Sequence, residues 1–348
     1  MYDATVYKQW GSRPADQRFE TMAELTAQVQ QRRETARETL AYTGELRYGL
    51  DTAGELAISA AGLGPVVPTH WALTQLCRAI SAPSDYLRRL PPKLATECLT
   101  ATTGGRQNIP LKLYAGDSEL RALTSPSYGR IYDIDAVNLV NSLVERSEGA
   151  FYNPPEWSGR PGGLYASDSD CFMFMVDGGS IVEGKGPRDK LFRGFYVSNS
   201  EVGKASFNLK SFLFQEVCGN YQIWGQSDVK AVRLRHTARA PHRYANEFWA
   251  LVLEWMKESP EGEATMIEKA KTIELPSDDL KRIDWVTNRG FTKTEASVAI
   301  NLAETEIGEC KNIWQLVDGL TMSARTIANI DRKHDLEIRA GQLMKLAA

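Results

Sequence analysis

The sequence predicts an α+β protein with a central, mostly antiparallel sheet, helices packed on one side of that sheet, and a C-terminal helical domain. Short apolar or alternating runs, which are typical of strands, fill the middle of the 348-residue chain. Apolar residues at helical spacing fill its two ends, and turn sequences separate several of the short runs. These observations predict an N-terminal helical segment over 1–44, an α+β core domain with a basic sheet face over 45–258, and a helical domain over 259–348.

The first half of the chain combines helices with a hairpin. Leu46 and Leu50 alternate with polar residues before a turn at Gly54, which predicts a hairpin over 45–58. Thr69 follows a proline and can act as the N-cap of the next helix. Helices are predicted over 19–42, from Thr69 to 80, from Pro83 to 90, over 93–100 and, with Asp133 as cap, over 133–145.

Strands dominate the middle of the chain, and helices dominate beyond residue 245. The predicted strands lie at 111–114, 120–123, 171–176, 192–199, 205–214 and 229–236, with a loop at 151–165. Phe248, Val252 and Trp255 share one helical face, which predicts a helix that closes over the sheet. The remaining predictions are a linker at 259–262 and helices at 280–288, after the capping box of Thr292 and Glu295, at 312–320 and at 323–346.

The composition, with 43% hydrophobic and 24% charged residues, is that of an ordinary water-soluble protein. The five cysteines are scattered and form no CxxC pair, so we expect reduced and mostly buried thiols. No apolar run is long enough for a membrane span, and residues 1–18 lack the apolar core of a secretory signal. We therefore expect a cytoplasmic protein, without a membrane partner.

Positive charge is concentrated in residues 185–243. Eleven Lys or Arg residues and four acids give this segment a net charge of +7, whereas the whole chain carries −3. Phosphates bind basic side chains and bases stack on aromatic rings, and this segment interleaves both residue types, which favours nucleic-acid binding. The candidate nucleic-acid-binding residues are Lys185, Arg188, Lys190, Arg193, Lys204, Lys210, Lys230, Arg233, Arg235, His236, Arg239 and Arg243.

Strand alternation narrows this set. Because 192–214 is predicted to form paired strands, about half of its aromatic rings would face the core. The densest basic cluster is Arg233, Arg235, His236, Arg239 and Arg243. An alternative interpretation is that these charges form a solvated face, paired with the acidic remainder of the chain or with a second subunit.

Other chemistries find weaker support in the sequence. Residues 179–185 have the GxxxxGK spacing of a phosphate-binding loop, but Gly186 replaces the Ser or Thr that would hold Mg²⁺, and no helix is predicted to follow. The four histidines lack metal-ligand spacing. A nuclease would need carboxylates around a metal, for which the candidates are Asp168, Asp170, Asp177 and Glu183. We expect no cofactor, no metal and no catalytic residues.

Five short motifs occur in order between about residues 45 and 255. They are Thr74–Cys77 leading to Ala82–Leu87, Arg121–Ser125 leading to Tyr128, Asn199–Gly203, Val217–Asn220 and Arg233–Thr237. In order and spacing they resemble the phage/plasmid-like protein family known as domain of unknown function 932. That family has an Asn-Gly pair after the cysteine, whereas Gly219 and Asn220 follow Cys218 here.

The resemblance implies a protein of a phage, prophage or conjugative plasmid, without established catalytic residues. A more distant, fold-level similarity to single-strand annealing proteins of the Red-beta/RecT kind implies a ring or filament with DNA in a basic groove on a sheet. Our leading hypothesis is single-stranded DNA binding and annealing in recombination or replication, by a homo-oligomer. The alternatives are a host-interaction protein with an anti-defence or regulatory role, and a metal-dependent nuclease.

Overall fold

The chain folds into an α+β structure with two mostly antiparallel sheets and a C-terminal helical region. The computed structural model describes residues 18–347, except 105–107, 117–118, 149, 154–162, 184–189, 216–219, 223–230, 258–260, 325–335 and 337–338. The predicted fold class is therefore confirmed, although the strands divide between two sheets where the sequence predicted one.

The first sheet comprises six strands of the described residues, in the order β1-β5-β6-β4-β3-β2. Its strands are β1 Arg37–Tyr42, β2 Arg47–Leu50, β3 Leu56–Ala60, β4 Leu63–Pro68, β5 Pro110–Gly116 and β6 Glu119–Thr124. The pairing of β4 with β6 is parallel, and the other pairings are antiparallel. The predicted hairpin is confirmed in β2 and β3, where Gly54 takes the positive φ of 84° that the turn requires.

Three helices lie against this first sheet. They are α2 His70–Ala79, α3 Ser84–Leu87 and α4 Pro92–Thr103, which lie between β4 and β5. Helix α1 Met22–Thr35 precedes β1 and buries Leu25 and Val29 in the core of the second sheet. The side chain of Thr69 accepts a hydrogen bond from the backbone N–H of Ala72, so the predicted N-cap is confirmed. Leu76 and Leu99 from these helices pack against Leu113 of β5 in one apolar core.

The second sheet comprises seven strands of the described residues, from the middle of the chain. Its strands are β7 Phe151–Tyr152, β8 Leu164–Ala166, β9 Cys171–Glu183, β10 Lys190–Asn199, β11 Phe207–Gln215, β12 Asn220–Gln222 and β13 Ala231–Leu234. The order is β12-β11-β10-β9-β7, with β13 paired to β11 and β8 paired to β9. Strand β9 continues through Gly179 to Glu183, which agrees with the rejection of a phosphate-binding loop there.

Both faces of the central strand β10 are buried. On one face, Phe195 and Val197 pack with α1, with α5 Asp133–Arg146 and with α6 Ala240–Lys257. On the other face, Phe192 and Tyr196 join an aromatic cluster with residues of β8 and β9. The expectation that about half of the rings in this region face outward is therefore wrong for the described rings of β10, because each face is covered by its own apolar layer.

The C-terminal region forms its own apolar core. Its elements are α7 Glu261–Thr272, α8 Asp279–Thr287, α9 Lys293–Glu306, α10 Ile313–Ala324 and a 3₁₀ turn at Met344–Ala347. The core gathers buried residues from 267 to 347 and includes Leu191 from β10. The capping box of Thr292 and Glu295 is confirmed, since each side chain bonds the backbone N–H of the other residue.

Several local predictions were wrong. Residues 37–42, predicted as helix, form β1, because pairing with β5 satisfies their backbone. Strand β4 and helix α7 had no counterpart among the predictions, and α7 occupies 261–262 of the predicted linker. The predicted loop 151–165 contains β7 and the start of β8. Helix α10 continues through the predicted break before residue 323.

Candidate nucleic-acid interface

Seven of the twelve predicted nucleic-acid-binding residues have described side chains. Lys185, Arg188 and Lys230 lie outside the described residues, and so do the side chains of Lys190 and Lys210. The remaining seven occupy three kinds of position. Some are exposed near β13, one is paired on a turn, and two are buried in the protein interior.

Four exposed arginines follow one another from β13 into the first turn of α6. We call Arg233, Arg235, Arg239 and Arg243 the arginine run. Within it, exposed and buried residues alternate, since Leu234 and His236 are buried while their neighbours are exposed. Arg243 pairs with Glu247 at 2.5 Å. Neither Arg235 nor Arg239 forms an ion pair with a described residue.

Lys204 lies on the turn after β10 and is held by a buried acid. Its Nζ atom is 3.1 Å from Oδ2 of Asp170 and 3.0 Å from Oγ of Ser169. The Asp170 side chain is 2% exposed and also accepts a hydrogen bond from Ser167. Lys204 therefore neutralises an interior carboxylate. Its ammonium group already has two partners, Asp170 and Ser169, and is less available to a phosphate.

Arg193 and His236 are corrections to the predicted set, because both are buried. Arg193 is 4% exposed, since it lies in β10, whose two faces are both covered. His236 is 9% exposed, and its ring stacks on that of Tyr128 at a centroid distance of 5.0 Å. Burial lowers the pKa of His236 to about 4, although its contact with the carbonyl of Gly129 acts in the opposite direction. A neutral, enclosed imidazole does not offer a phosphate-binding charge.

A buried polar network lies between the two sheets. It consists of Tyr114, Arg121, Asp133, Asn199 and Glu201. The guanidinium of Arg121 forms an ion pair with Glu201, whose Oε1 also accepts a hydrogen bond from the hydroxyl of Tyr114 at 3.1 Å. Burial raises the pKa of Tyr114, which keeps this phenol protonated and able to donate. A carboxylate so far from water is tolerated because several donors satisfy it.

Asp133 is the second acid of this network. The sequence predicted it as a helix cap, but the N-cap of α5 is Tyr132, and the Asp133 side chain lies in the interior. Its Oδ1 accepts a hydrogen bond from Asn199 at 2.8 Å, and its backbone N–H donates to Oε2 of Glu201 at 3.1 Å. Burial and the nearby Glu201 raise the pKa of Asp133 well above its usual range, which favours the neutral carboxyl.

Arg130 extends the polar contacts from the interior towards the surface. Its Nε donates to Oε1 of Glu38 at 2.6 Å, and its Nη1 donates to the backbone carbonyl of Glu201. The guanidinium lies 4.0 Å from the ring centroid of Tyr114. Arg130 is thereby fixed by an acid from β1, a ring from β5 and the turn after β10.

The fold brings together four of the five motifs found in the sequence. The side chain of Gln75 accepts from the N–H of Leu123 at 2.9 Å and donates to the carbonyl of Val202 at 2.8 Å. The hydroxyl of Tyr128 donates to the carbonyl of Ser200 at 3.1 Å. His236 joins through its stack on Tyr128. These motif residues therefore form one interior junction between the two sheets.

A cleft of ≈ 250 Å³ opens where this junction reaches the surface. The interface cleft, as we name it, is lined by residues 126–130 together with Glu38, Lys112, Tyr132, Ala238 and Pro241. Its wall is tightly built, because a Cβ atom on Gly129 would lie 2.0 Å from the carbonyl oxygen of Thr237. Ala238 and Pro241 alternate along the chain with members of the arginine run, so the cleft borders that run.

Glu38, Lys112 and Arg130 were not among the site residues predicted from the sequence. Lys112 and Arg121 carried a usable signal, since each is a charged residue inside a predicted apolar strand and such residues are rarely buried without a partner. Glu38 was hidden because its segment was predicted to be helical. Its position beside Arg130 follows from the pairing of β1 with β5, which juxtaposes Glu38 and Tyr114.

The described part of the chain gives little support for a metal site or for nuclease carboxylates. Its His, Cys, Asp and Glu side chains form no group of three or more that could hold a metal ion. Of the acids considered for a nuclease, Asp170 is buried and bound by Ser167 and Lys204. Cys77, Cys98, Cys171 and Cys310 are free thiols. No helix among the described residues has the length and apolarity to cross a membrane.

Comparisons with protein families, with curated proteins and with solved structures give no match to this chain. The fold class thus rests on the structure itself. The resemblance to the phage/plasmid-like family stays a hypothesis based on the five motifs.

Proposed function

We propose that this protein binds single-stranded DNA through the arginine run. The observation that carries the proposal is the exposure of Arg233, Arg235, Arg239 and Arg243 on one continuous segment. Two of them, Arg235 and Arg239, form no ion pair with a described acid, so their charges are available to phosphates. The start of this segment, Arg233–Thr237, is also one of the motifs that resemble the phage/plasmid-like family.

The start of α6 adds to the positive potential of this surface. The first backbone N–H groups of an α-helix lack partners within the helix, and the helix dipole places about half a positive charge there. Helix α6 runs from Ala240 to Lys257, so Arg239 and Arg243 flank its first turn. Arginine guanidinium groups and these N–H groups are both suited to phosphate oxygens.

The number of exposed arginines sets the expected salt dependence. Each phosphate neutralised on a single strand contributes about −0.7 to the slope of log affinity against log salt. Contacts from Arg235 and Arg239 alone predict a slope of about −1.4, and contacts from all four arginines predict about −3. Nucleic-acid contact without base-specific groups implies little sequence preference.

A direct test measures the anisotropy of a fluorescent oligothymidylate at low salt. The variant Arg235→Glu/Arg239→Glu should bind about tenfold more weakly, because two attractive charges become repulsive. The matched control is Arg78→Glu/Arg89→Glu, which makes the same change in net charge on exposed arginines near α2 and α3. Equal affinity of the two double variants, or no binding by the wild-type protein, would contradict the proposal.

The biological role that we propose is strand annealing for a phage or plasmid, in the bacterial cytoplasm, by a ring or filament of subunits and without a cofactor. The family resemblance supports this role. Annealing is measured as the rate at which two complementary labelled strands pair, with and without protein. Electron microscopy with and without single-stranded DNA tests the assembly. A protein that binds a strand as a monomer and leaves the pairing rate unchanged would retain the binding function and lose this role.

A further inference from the structure

We propose that the interface cleft binds one phosphate group of the bound DNA strand. This inference rests on the proposed function, because it places part of the strand beside the arginine run. The cleft joins residues of the first sheet, Glu38 and Lys112, to the segment that carries Ala238 and Pro241. A strand that follows the arginine run would therefore pass its mouth.

Lys112 supplies a cation with donors to spare. An ammonium group has three N–H donors. The Nζ of Lys112 donates to the carbonyl of Tyr128 at 3.1 Å, and its distance to Oε2 of Glu38 is 3.9 Å, beyond hydrogen-bond range. No other contact engages it within the described residues. Two of its three donors remain for a ligand.

Arg130 supplies the second cation. It is 5% exposed, it lines the cleft, and its Nη2 has no hydrogen-bond acceptor among the described residues. A buried guanidinium nitrogen without an acceptor is costly. Because this atom is buried, Arg130 acts on an anion in the cleft through the positive charge of its guanidinium. Ser127, which is exposed at the edge of the same cleft, adds a hydroxyl donor.

Charge and size both favour a phosphate. Glu38 is the one carboxylate among the described lining residues, and it faces two cations, Lys112 and Arg130, so the lining keeps a positive balance. A volume of ≈ 250 Å³ is smaller than typical pockets for drug-sized ligands, which hold about 300–1,000 Å³. It suits a phosphate with its sugar better than a longer stretch of strand.

The aromatic residues of the cleft do not favour a stacked base. The Tyr128 ring is already covered by His236 and lies 5.1 Å from the guanidinium carbon of Arg130. The guanidinium carbon of Arg33 lies 4.0 Å from the centroid of the Tyr132 ring. Because cations and an imidazole occupy these rings, the cleft offers hydrogen-bond donors to a phosphate in place of a stacking platform for a base.

The test introduces a carboxylate at the mouth of the cleft. Ser127→Asp should weaken oligothymidylate binding about fivefold and reduce the salt slope by about 0.7, since one phosphate contact is lost. The matched control is Thr52→Asp, which adds the same charge on the exposed β2–β3 turn. Lys112→Gln should act like Ser127→Asp, and a thermal melt of each variant shows whether it is folded.

The outcomes separate this inference from the proposed function. If Arg235→Glu/Arg239→Glu weakens binding while Ser127→Asp binds like Thr52→Asp, the cleft proposal is overturned and the arginine run stands. If the wild-type protein binds no oligonucleotide, the proposed function fails. Titration with inorganic phosphate, followed by ³¹P NMR, then tests anion binding in the cleft independently of DNA binding. Phosphate binding that Ser127→Asp abolishes and Thr52→Asp retains supports an anion site, whereas its absence in the wild-type protein overturns it.

Discussion

The arginine run and the buried polar network are both rich in charge, and they use that charge in opposite ways. In the network, the side chain of Arg121 is 7% exposed and is matched by Glu201 and Tyr114. In the arginine run, Arg235 is exposed and meets no described acid. The buried polar network holds the two sheets together. The arginine run faces solvent, where a DNA strand could reach it.

This difference shows that the density of charge along a sequence does not identify a binding surface. The segment 185–243 was singled out by its net charge, yet its described members include the buried residues Arg193 and His236. Lys112 and Arg130, which line the interface cleft, lie outside that segment. The direction in which a side chain faces separates charges that support the fold from charges that can bind a partner.

The largest difference between the two regions is expected for matched arginine substitutions. Arg121→Gln leaves Glu201 buried without its ion-pair partner, so it should cost about 3–5 kcal/mol of unfolding free energy. Arg235→Gln is exposed and should change stability by less than about 0.5 kcal/mol. Urea denaturation followed by tryptophan fluorescence measures both.

A double variant sharpens this comparison. Arg121→Gln/Glu201→Gln removes both buried charges, so it should cost less than the sum of the two single substitutions, because the residues interact directly. Additive effects would mean that Arg121 and Glu201 have no coupling energy with each other. Equal effects of Arg121→Gln and Arg235→Gln would break the contrast between the two regions.

The next effect concerns the contact that positions the cleft against the arginine run. Gly129→Ala places a Cβ 2.0 Å from the carbonyl oxygen of Thr237 and 2.8 Å from the Pro241 ring. Since the backbone must move, we expect a cost of about 3 kcal/mol. The control is Gly64→Ala in β4, where nothing lies within 4 Å of the added carbon. Its effect should stay within about 0.5 kcal/mol, and similar melting temperatures for the two variants would refute the close approach.

The smallest of the three effects is a dependence on pH that the buried His236 should produce. The pKa of His236 is lowered to about 4 from an ordinary value of 6.5. Its stabilising contribution is therefore fully present above pH 6.5, and it is lost as pH falls towards 4, because the unfolded chain takes up the proton first. Between pH 7.5 and pH 5 the loss should be about 2 kcal/mol.

The variant His236→Gln isolates this contribution. Asp133, whose pKa is raised, favours the folded state as pH falls, so the wild-type curve alone mixes the two effects. Subtracting the stability of His236→Gln from that of the wild-type protein at each pH removes the contribution of Asp133, which both proteins share. His242→Gln serves as a control, since it leaves the buried ring in place. A difference that stays constant from pH 7.5 to pH 5 would show that folding does not shift the pKa of His236.

The helices and turns that depend on neighbouring residues were predictable from the sequence. Thr69 caps α2, Thr292 and Glu295 form their capping box, and the β2–β3 hairpin turns at Gly54. Each signal needs only residues a few positions apart. The helical prediction for 37–42 failed for the opposite reason, because the backbone of β1 is satisfied by β5, far along the chain.

The candidate site was predictable only in part. The alternation of Arg233 and Arg235 with Leu234 is typical of a strand with one basic face, and the structure exposes both arginines. The interface cleft was not predictable, because Lys112 and Arg130 become its lining only when β5 and the segment before α5 meet the chain at Ala238. A local sequence pattern does not indicate contacts between residues that lie so far apart along the chain.

The sequence by itself determined the α+β class, the helix caps, the amphipathic face of α6 and the concentration of positive charge. These properties follow from composition and from interactions between residues close along the chain. Tertiary structure decided which charges face inward. Arg121 and Glu201 are 80 positions apart, and only folding brings them together where low polarity makes an unmatched charge costly. That cost favours the burial of an arginine only together with its acid, and it keeps Arg235 and Arg239, which meet no described acid, at the surface.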